Sequence, residues 1–183
     1  MGKPKQLLLL QGQPLVATVL RRLAAVEPDR LIVVLGAGAE RIRPYCTDLD
    51  TKPSPEIILN PDWSSGLASS IHAAVSALAH SPKPPSHLLI ALVDQPYLNT
   101  NHYRSLIETS REFPDKIIAA SYEDRLGAPM LFPQAFFPQL MELKGDQGAG
   151  KWVRTIPDQV ISVHLPEAAV DWDTREDLSQ PSP

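Results

Sequence analysis

Leu88-Leu-Ile-Ala-Leu-Val-Asp-Gln-Pro96 gives the strongest indication of how this chain folds. Six apolar residues in succession, Leu88 to Val93, predict a buried strand. The strand runs directly into Asp94, and Pro96 holds the turn that follows. Ligands of open α/β sheets collect at the carboxyl ends of the strands. A carboxylate at this edge suits a hard cation such as Mg²⁺, which binds one or two carboxylates together with substrate phosphates.

Helical and strand patterns alternate on both sides of this segment. Repeated β-then-α units imply an α/β fold with a mostly parallel sheet and helices on both faces. The predicted strands are Leu31 to Leu35, Glu56 to Leu59, Leu88 to Val93, Ile117 to Ser121 and Val160 to Leu165. The predicted helices are Leu15 to Leu23, Ala39 to Tyr45, Ser69 to Leu78, His102 to Arg111, Gln134 to Leu143, Ala149 to Arg154 and a last turn at Asp173 to Leu178.

Composition limits the classes of partner. The chain has 183 residues, 43% of them hydrophobic, and a formal charge of 17 − 21 = −4. This size predicts one domain, residues 1–178, with a frayed tail at residues 179–183. Without clustered Lys and Arg, neither a nucleic acid nor a membrane surface is expected as partner. The longest apolar run is far below the roughly 20 residues of a membrane helix.

Cys46 is the only cysteine. One cysteine excludes an intramolecular disulfide and a thiolate zinc cluster, and it suits a cytoplasmic protein. We interpret Cys46 as a small half-buried hydrophobic residue and not as a catalytic thiol.

A second source of carboxylates is Asp171-Trp172-Asp173. In an extended segment the side chains of Asp171 and Asp173 point the same way. Asp173 also fits a helix N-cap, with Glu176 completing a capping box. The cap explains Asp173 and leaves Asp171 unexplained.

Three glycine or polar segments each have a structural and a functional interpretation. Gly36-Ala-Gly38 suggests dinucleotide binding, but Arg41 replaces the third glycine, which favours a plain tight turn. Two interpretations remain for Gly145-Asp-Gln-Gly-Ala-Gly150: its backbone N–H groups could bind an anion, or it is only a flexible loop between two elements. Asn60-Pro-Asp-Trp-Ser-Ser-Gly66 has the composition of a ligand-binding loop.

Taken in order, these segments resemble the MobA-like nucleotidyltransferases, and the molybdenum cofactor cytidylyltransferases are the most similar branch. The resemblance spans nearly the whole chain. Its motifs are Pro4-Lys-Gln-Leu-Leu8, Gly12-Gln-Pro-Leu15, Val33-Val-Leu-Gly-Ala-Gly-Ala-Glu40, Asn60 to Gly66 with Ser69-Ser70, Leu92-Val-Asp-Gln-Pro96, Gly127-Ala-Pro129, Gly145 to Ala149 and Asp171-Trp-Asp-Thr174.

The resemblance implies a Rossmann-like three-layer nucleotidyltransferase fold and a Mg²⁺-dependent reaction. A nucleoside monophosphate, either CMP from CTP or GMP from GTP, would be transferred to the phosphate of molybdopterin with release of pyrophosphate. A molybdoenzyme is a further expected partner. Asp94 would bind the metal with Asp171 or Asp173, and Lys5 would contact the triphosphate. The acceptor would lie against Asn60, Trp63, Gly66, Ser69, Ser70 and a loop that contains Gly127 and Pro129.

This chain departs from the family pattern at its start. Family members have a strand and a Leu-Ala-Ala-Gly-x-Ser-x-Arg loop before Met-Gly-x-Pro-Lys, and this sequence begins at that Met-Gly. We therefore expect the usual first strand to be missing from the middle of the sheet, together with the main phosphate-binding loop, and a true start upstream. His72 also stands where an arginine is common.

Three hypotheses follow. The leading one is the nucleotidyltransferase just described. The second is a truncated relative that holds a molybdenum cofactor or a partner enzyme without catalysis. The third is an NAD-binding oxidoreductase built on Gly36 and Gly38.

Overall fold

The computed structural model describes residues 4–79, 81, 83–146 and 148–172. Its strands are β1 (Leu9–Leu10), β2 (Gln13–Pro14), β3 (Ile32–Leu35), β4 (Glu56–Leu59), β5 (His87–Ile90), β6 (Ile117–Tyr122), β7 (Arg125–Pro133) and β8 (Val160–His164). Its α-helices are α1 (Leu15–Ala24), α2 (Ala39–Ile42), α3 (Pro44–Thr47), α4 (Leu67–Ala79), α5 (Thr100–Glu112), α6 (Phe137–Leu140) and α7 (Ala149–Val153). The expected turn at Asp173 to Leu178 and the expected tail at residues 179–183 lie outside the described residues.

The central strands form two separate sheets. β3 and β4 pair in parallel, and the other sheet has the order β5-β7-β6-β8. In that second sheet β6 and β8 are parallel, while β7 runs antiparallel to both of its neighbours. Within the described part of the chain, β3 has only β4 as a strand partner and β5 has only β7.

No strand of the described residues joins β3 to β5, and this break in strand pairing is called the gap; helices pack beside it on both faces. On one face, the buried side of α4 packs with Ile32 of β3 and with Leu88 and Ile90 of β5. On the other face, Leu23 of α1 packs with the clusters that contain Val33 of β3 and Leu89 of β5.

The carboxyl ends of β3 and β5 lie at the same end of the molecule. Pro4 lies against Gly38, just after β3. The next residue, Lys5, bonds Asp94, four residues after β5. The site predicted at this edge thus draws on both sheets.

Helix boundaries follow local chemistry. α5 begins at a capping box in which the Asn99 side chain accepts from the backbone N–H of His102, and the His102 ring accepts from the N–H of Asn99. The helix predicted for Ala39 to Tyr45 divides into α2 and α3 at Pro44, which cannot donate a helical hydrogen bond. The helix predicted for Gln134 to Leu143 is a 3₁₀ turn followed by the short α6, again with a proline, Pro138, in its first turn.

Two further predictions need correction. The ladder of β5 ends at Ile90, so the strand predicted for Leu88 to Val93 is too long at its carboxyl end. Gly127 and Pro129 do not lie in a loop, because β7 runs through both. The β6–β7 register shifts beside them, from Ala119 opposite Met130 to Ala120 opposite Gly127. Pro129 has no N–H to donate to a ladder, which suits a bulge at this point.

None of the helices in the described ranges has both the length and the apolar character that crossing a membrane would require.

Candidate functional site

Lys5 and Asp94 form the centre of the predicted site. Lys5 Nζ donates to Asp94 Oδ2 at 2.6 Å, across 89 positions of sequence. The Lys5 side chain is 36% exposed and that of Asp94 is 17% exposed, so the pair opens to solvent mainly from the lysine side. A short 3₁₀ turn, Lys5–Leu7, holds the lysine by burying Leu7 in the core beside α1.

The second oxygen of Asp94 has a different environment. Oδ1 is buried and has no hydrogen-bond partner among the described residues. A buried carboxylate oxygen without a donor is costly, and a bound cation can offset that cost. The arrangement therefore fits a hard divalent ion, with Oδ1 free to bind it while Lys5 neutralises Oδ2.

The described residues do not form a ready-made metal site. Among the described residues, no three His, Cys, Asp or Glu side chains come together as a ligand set.

The segment carrying Asp171 is attached directly to Asp94. The backbone N–H of Trp172 donates to the carbonyl oxygen of Asp94 at 2.8 Å. The indole of Trp172 is buried and packs edge-on against Tyr97, at 6.1 Å between ring centroids. Asp171 is thus held one residue from this hydrogen bond, on the same edge as Asp94. Asp173, the other predicted ligand, lies outside the described residues.

Gln95 joins three parts of the site and was not assigned a role from the sequence. Its side chain is fully buried, and Nε2 donates to the carbonyls of Ala128 at 3.0 Å and Ala168 at 2.8 Å. Ala128 lies between Gly127 and Pro129, and Ala168 lies three residues before Asp171. The sequence signals this residue only by its position, directly after the predicted metal ligand.

Asn60, Ser69 and Ser70 form one hydrogen-bonded cluster. Asn60 Nδ2 donates to Ser69 Oγ at 2.8 Å and to Ser70 Oγ at 3.1 Å. Asn60 Oδ1 accepts from the backbone N–H of Asp62, and Ser69 Oγ donates to the carbonyl of Gly66. The cluster fixes the end of β4 to the start of α4, so these side chains shape the loop between them.

Two glycines in this region are required by packing. Gly66 has φ +109, and a Cβ there would overlap the backbone of Gly145 and Asp146. A Cβ at Gly36 would overlap the side chain of Trp63. Trp63 nevertheless remains 50% exposed, which leaves one part of its indole open to a ligand.

The glycines of the dinucleotide-like segment therefore have structural explanations. Gly36 makes room for Trp63, and Gly38, with φ +70, precedes the four-residue helix α2. A left-handed residue at this position favours glycine. Gly36 to Gly38 therefore form a tight turn, as was predicted because the third glycine of a dinucleotide-binding motif is absent.

Gly127 and Pro129 lie in β7 on either side of Ala128, whose carbonyl accepts from Gln95. A Cβ at Gly127 would overlap the phenol oxygen of Tyr122, and Pro129 is buried. Burial raises the pKa of Tyr122, the Arg125 guanidinium 5.0 Å from its ring centroid lowers it, and Asp171 raises it. The Tyr122 phenol is therefore neutral at ordinary pH.

His72 and Cys46 take no part in these contacts. His72 lies on α4, and its Nε2 is buried without a partner among the described residues. Cys46 is fully buried, and burial raises the pKa of its thiol to about 11. A thiol in this state is a poor nucleophile, which agrees with the interpretation made from the sequence, although Cys46 is more deeply buried than expected.

Known proteins support the same fold. The chain resembles Rv0371c of Mycobacterium tuberculosis H37Rv, solved in complex with manganese, with a TM-score of 0.72 and 27% identity over 97% of this chain and 90% of that one. It also resembles the Rv0371c homologue from Mycobacterium sp. strain JC1, with a TM-score of 0.75 and 30% identity over 97% and 86% of the two chains. The expected nucleotidyltransferase-like α/β fold is confirmed.

Sequence comparison identifies the family. The nicotine blue oxidoreductase of Paenarthrobacter nicotinovorans is 33% identical over 162 residues, which make up 84% of this chain and 74% of that protein. The family model of the MobA-like NTP transferase domain matches residues 1–160. The resemblance drawn from the motifs is confirmed, and this chain belongs to the MobA-like NTP transferase family of nucleotidyltransferases.

Proposed function

We propose that this protein transfers a nucleoside monophosphate, CMP from CTP, to the phosphate of molybdopterin in a Mg²⁺-dependent reaction that releases pyrophosphate. The observation that carries the proposal is the buried Oδ1 of Asp94, unpartnered among the described residues, beside the Lys5 to Asp94 ion pair. Lys5 and Asp94 provide one cation and one metal-binding oxygen at the carboxyl edge of the sheet.

The reaction makes modest demands on the protein. An oxygen of the acceptor phosphate attacks the α-phosphorus of the NTP, a new P–O bond forms, and the bond to pyrophosphate breaks. The acceptor is already anionic, so alignment and charge neutralisation matter more than a general base. A Mg²⁺ ion, when bound, would neutralise phosphate charge. Asp94 would hold that ion through Oδ1, and Asp171 is the second carboxylate proposed for it.

Lys5 is proposed to contact the triphosphate. Its ammonium group lies 2.6 Å from Asp94 Oδ2 and is partly exposed, so it can also meet an arriving phosphate. The acceptor would occupy the side of the site formed by Asn60, Trp63, Gly66, Ser69 and Ser70 and by Gly127 and Pro129 of β7. The exposed indole of Trp63 offers a flat apolar face for a ring system such as a pterin.

Two comparisons support use of a divalent metal and an NTP. Rv0371c has been solved with manganese, and the matched family is described as an NTP transferase domain. CTP and molybdopterin are the substrates favoured by the motif series, and the transfer assay tests each of them separately.

The direct test is release of pyrophosphate. Each of the four NTPs is incubated with Mg²⁺ and molybdopterin, using the 183-residue chain and a version extended ahead of Met1 by a strand and a Gly-Ser-Arg loop. We expect release with CTP that needs both Mg²⁺ and molybdopterin. Absence of Mg²⁺-dependent release from every NTP in both versions would refute the proposal, and a preference for GTP would correct the nucleotide.

The second hypothesis, a protein that holds a molybdenum cofactor or a partner molybdoenzyme without catalysis, makes a different prediction for Asp94. Under that hypothesis Asp94→Ala leaves delivery of the cofactor intact. Under the proposed function the same variant loses nucleotidyl transfer. Delivery to an apo-molybdoenzyme, measured beside pyrophosphate release, separates the two.

An oxidoreductase is a third candidate because a relative at 33% identity is named nicotine blue oxidoreductase. Against it, Gly36 and Gly38 have packing and turn explanations in this chain. Thermal unfolding with NAD and NADP tests it. A rise in Tm with either dinucleotide, absent with CTP and Mg²⁺, would favour the oxidoreductase.

A further inference from the structure

Lys5 and Asp94 belong to two segments that are far apart in the sequence. The turn that carries Lys5 is attached to α1, because the N–H of Leu15, the first residue of that helix, donates to the carbonyl of Leu8 at 2.8 Å. Asp94 lies in the irregular segment between β5 and α5, residues 91–99, which we call the Asp94 loop. The contacts between α1 and the Asp94 loop therefore govern how the two site residues meet.

Arg22, near the end of α1, forms two hydrogen bonds with the Asp94 loop. Its Nη1 donates to the carbonyl of Pro96 at 2.7 Å and to the carbonyl of Leu98 at 2.6 Å, across 74 and 76 positions of sequence. The hydroxyl of Thr100, at the start of α5, donates to the carbonyl of Arg22 at 3.3 Å. The arginine thus ties α1 to the part of the loop that directly follows the predicted metal ligand.

The charge of Arg22 has no carboxylate partner among the described residues. Burial lowers the pKa of Arg22, and nearby Tyr103 raises it. Burial also raises the pKa of the Tyr103 phenol to about 12, so this group is neutral at ordinary pH. A partly buried guanidinium group without a counter-ion depends on its hydrogen bonds to carbonyl oxygens. Because both of these carbonyls belong to the Asp94 loop, the arginine and the loop hold each other in place.

Apolar packing also joins α1 to the Asp94 loop. Val93 and Tyr97 of the loop pack in one cluster with Leu15 and Val19 of the helix. Hydrophobic contact is non-directional, whereas a hydrogen bond has a defined distance and angle. The two bonds from Arg22 therefore supply directional contacts that the apolar cluster lacks.

We propose that Arg22 is a positioning residue that orients the Asp94 carboxylate toward a bound metal ion and keeps it beside Lys5. It acts through two backbone carbonyls of the Asp94 loop. The metal ion rests on the proposed function, whereas the anchoring of the loop rests on the described contacts.

The first experiment tests the anchoring without metal or substrate. The test variant, Arg22→Met, removes the charge and the donors but keeps an unbranched side chain. The matched control, Arg21→Met, removes the same charge from the adjacent exposed position, where Nη1 lies 3.5 Å from Gln13 Oε1. Backbone ¹⁵N relaxation dispersion is measured below the unfolding transition of each variant. We expect increased microsecond-to-millisecond exchange in the Asp94 loop of Arg22→Met, relative to both the wild type and the control.

The second experiment measures Mn²⁺ binding by water proton relaxation on the same folded proteins. Loss of a group that orients a metal ligand costs about 10–100-fold in metal affinity. We therefore expect at least about tenfold weaker Mn²⁺ binding in Arg22→Met and unchanged binding in Arg21→Met. Arg22→Lys should bind Mn²⁺ within about threefold of the wild type, because one ammonium nitrogen can donate both hydrogen bonds.

Three results would each overturn the proposal: unchanged loop dynamics in Arg22→Met, unchanged Mn²⁺ affinity in that variant, or an equal loss in Arg21→Met. Arg22→Gln, which loses the charge and has a shorter side chain, is measured in parallel so that the test does not depend on the folding of one variant. A general loss of stability would be neither confined to the Asp94 loop nor reversed by lysine.

Asp94→Asn distinguishes this inference from the proposed function. If Asp94→Asn binds Mn²⁺ as tightly as the wild type, the metal assignment and the proposed function fail, and relaxation dispersion still decides whether Arg22 anchors the loop. If Asp94→Asn weakens Mn²⁺ binding but Arg22→Met does not, the positioning role alone is refuted.

Discussion

The two carboxylate oxygens of Asp94 are proposed to have different roles, and a single substitution tests the metal-binding one. Asp94→Asn keeps the size of the side chain but removes the negative charge that would hold a divalent ion. We expect nucleotidyl transfer to fall by about 10²–10³-fold, the range for losing one electrostatic contact to a transition state. The free energy of unfolding should change by less than about 1 kcal/mol, because the partner Lys5 is 36% exposed.

Binding of Mn²⁺, followed by water proton relaxation, checks the cause of that loss. We expect weaker Mn²⁺ binding in Asp94→Asn and unchanged binding in Asp62→Asn, an exposed carboxylate on the loop after β4. Equal Mn²⁺ affinity in the wild type and in Asp94→Asn would contradict the assignment of Asp94 Oδ1 as a metal ligand.

Cys46 gives a pH-dependent prediction. Burial raises the pKa of its thiol from 9.0 to about 11, so at pH 8 the folded protein holds about a hundredfold less thiolate than an ordinary cysteine. Because the pKa is higher in the folded state, this group stabilises the fold fully below pH 9, and the contribution is lost as pH rises toward 11. Iodoacetamide labelling at pH 8 should be at least about a hundredfold slower in native protein than in urea-unfolded protein. Similar rates would show that Cys46 is accessible and ionised.

At the scale of elements, close contact between the loop before α4 and the loop before α7 depends on Gly66. At φ +109 and ψ 177 the backbone is essentially restricted to glycine, and a Cβ would also meet Gly145. Gly66→Ala should cost about 3–5 kcal/mol of unfolding free energy. Gly12→Ala is the matched control, because Gly12 has φ +80 with no atom near its Cβ position, and it should cost only about 1–2 kcal/mol. Equal losses in urea unfolding would show that the two loops do not touch.

Gln95 connects β5, β7 and the segment before Asp171. Gln95→Leu leaves the carbonyls of Ala128 and Ala168 without their side-chain donor, which should cost about 2–4 kcal/mol. Gln134→Leu, at an exposed position, should have an effect within about 0.5 kcal/mol. Urea unfolding measures both variants. A loss below about 1 kcal/mol for Gln95→Leu would contradict its linking role.

Local patterns predicted some elements well and others poorly. The apolar spacing of Leu15 to Leu23 predicted α1, because one face of that helix is buried and the other is not. β7 was missed because Gly127 and Pro129 interrupt its pattern, and both residues indicate a loop until the bulge between β6 and β7 is seen. The helix predicted for Gln134 to Leu143 was too long because apolar spacing alone does not distinguish the 3₁₀ turn Gln134–Phe136 from the short α-helix that follows it and ends at Leu140.

The candidate site was predictable only in part for a similar reason. Asp94 follows directly from a buried strand that ends in a carboxylate, and Lys5 was added by the motif series. Their 2.6 Å contact spans 89 positions and cannot be inferred from spacing. The linking role of Gln95 depends on tertiary packing, since the carbonyl groups that it contacts lie 33 and 73 positions away in the sequence.

At the scale of the molecule, the gap between β3 and β5 should be visible in hydrogen exchange. β6 is paired on both edges, by β7 and β8, whereas β3 and β5 have one strand partner each among the described residues. Amides of β3 and β5 that face the gap should exchange within minutes, and those of Ile118 to Ala120 should approach global protection. A strand added ahead of Met1 should protect the gap-facing amides. Uniform protection in the 183-residue chain would show that the gap is closed.

Pyrophosphate release is the most direct test of the proposed Mg²⁺-dependent nucleotidyl transfer at Asp94. With CTP, Mg²⁺ and molybdopterin, we predict one pyrophosphate for each molybdopterin consumed, dependence on the metal, and loss of about 10²–10³-fold in rate in Asp94→Asn. No pyrophosphate from any NTP, with or without the added strand, or equal release by wild type and Asp94→Asn, would contradict it.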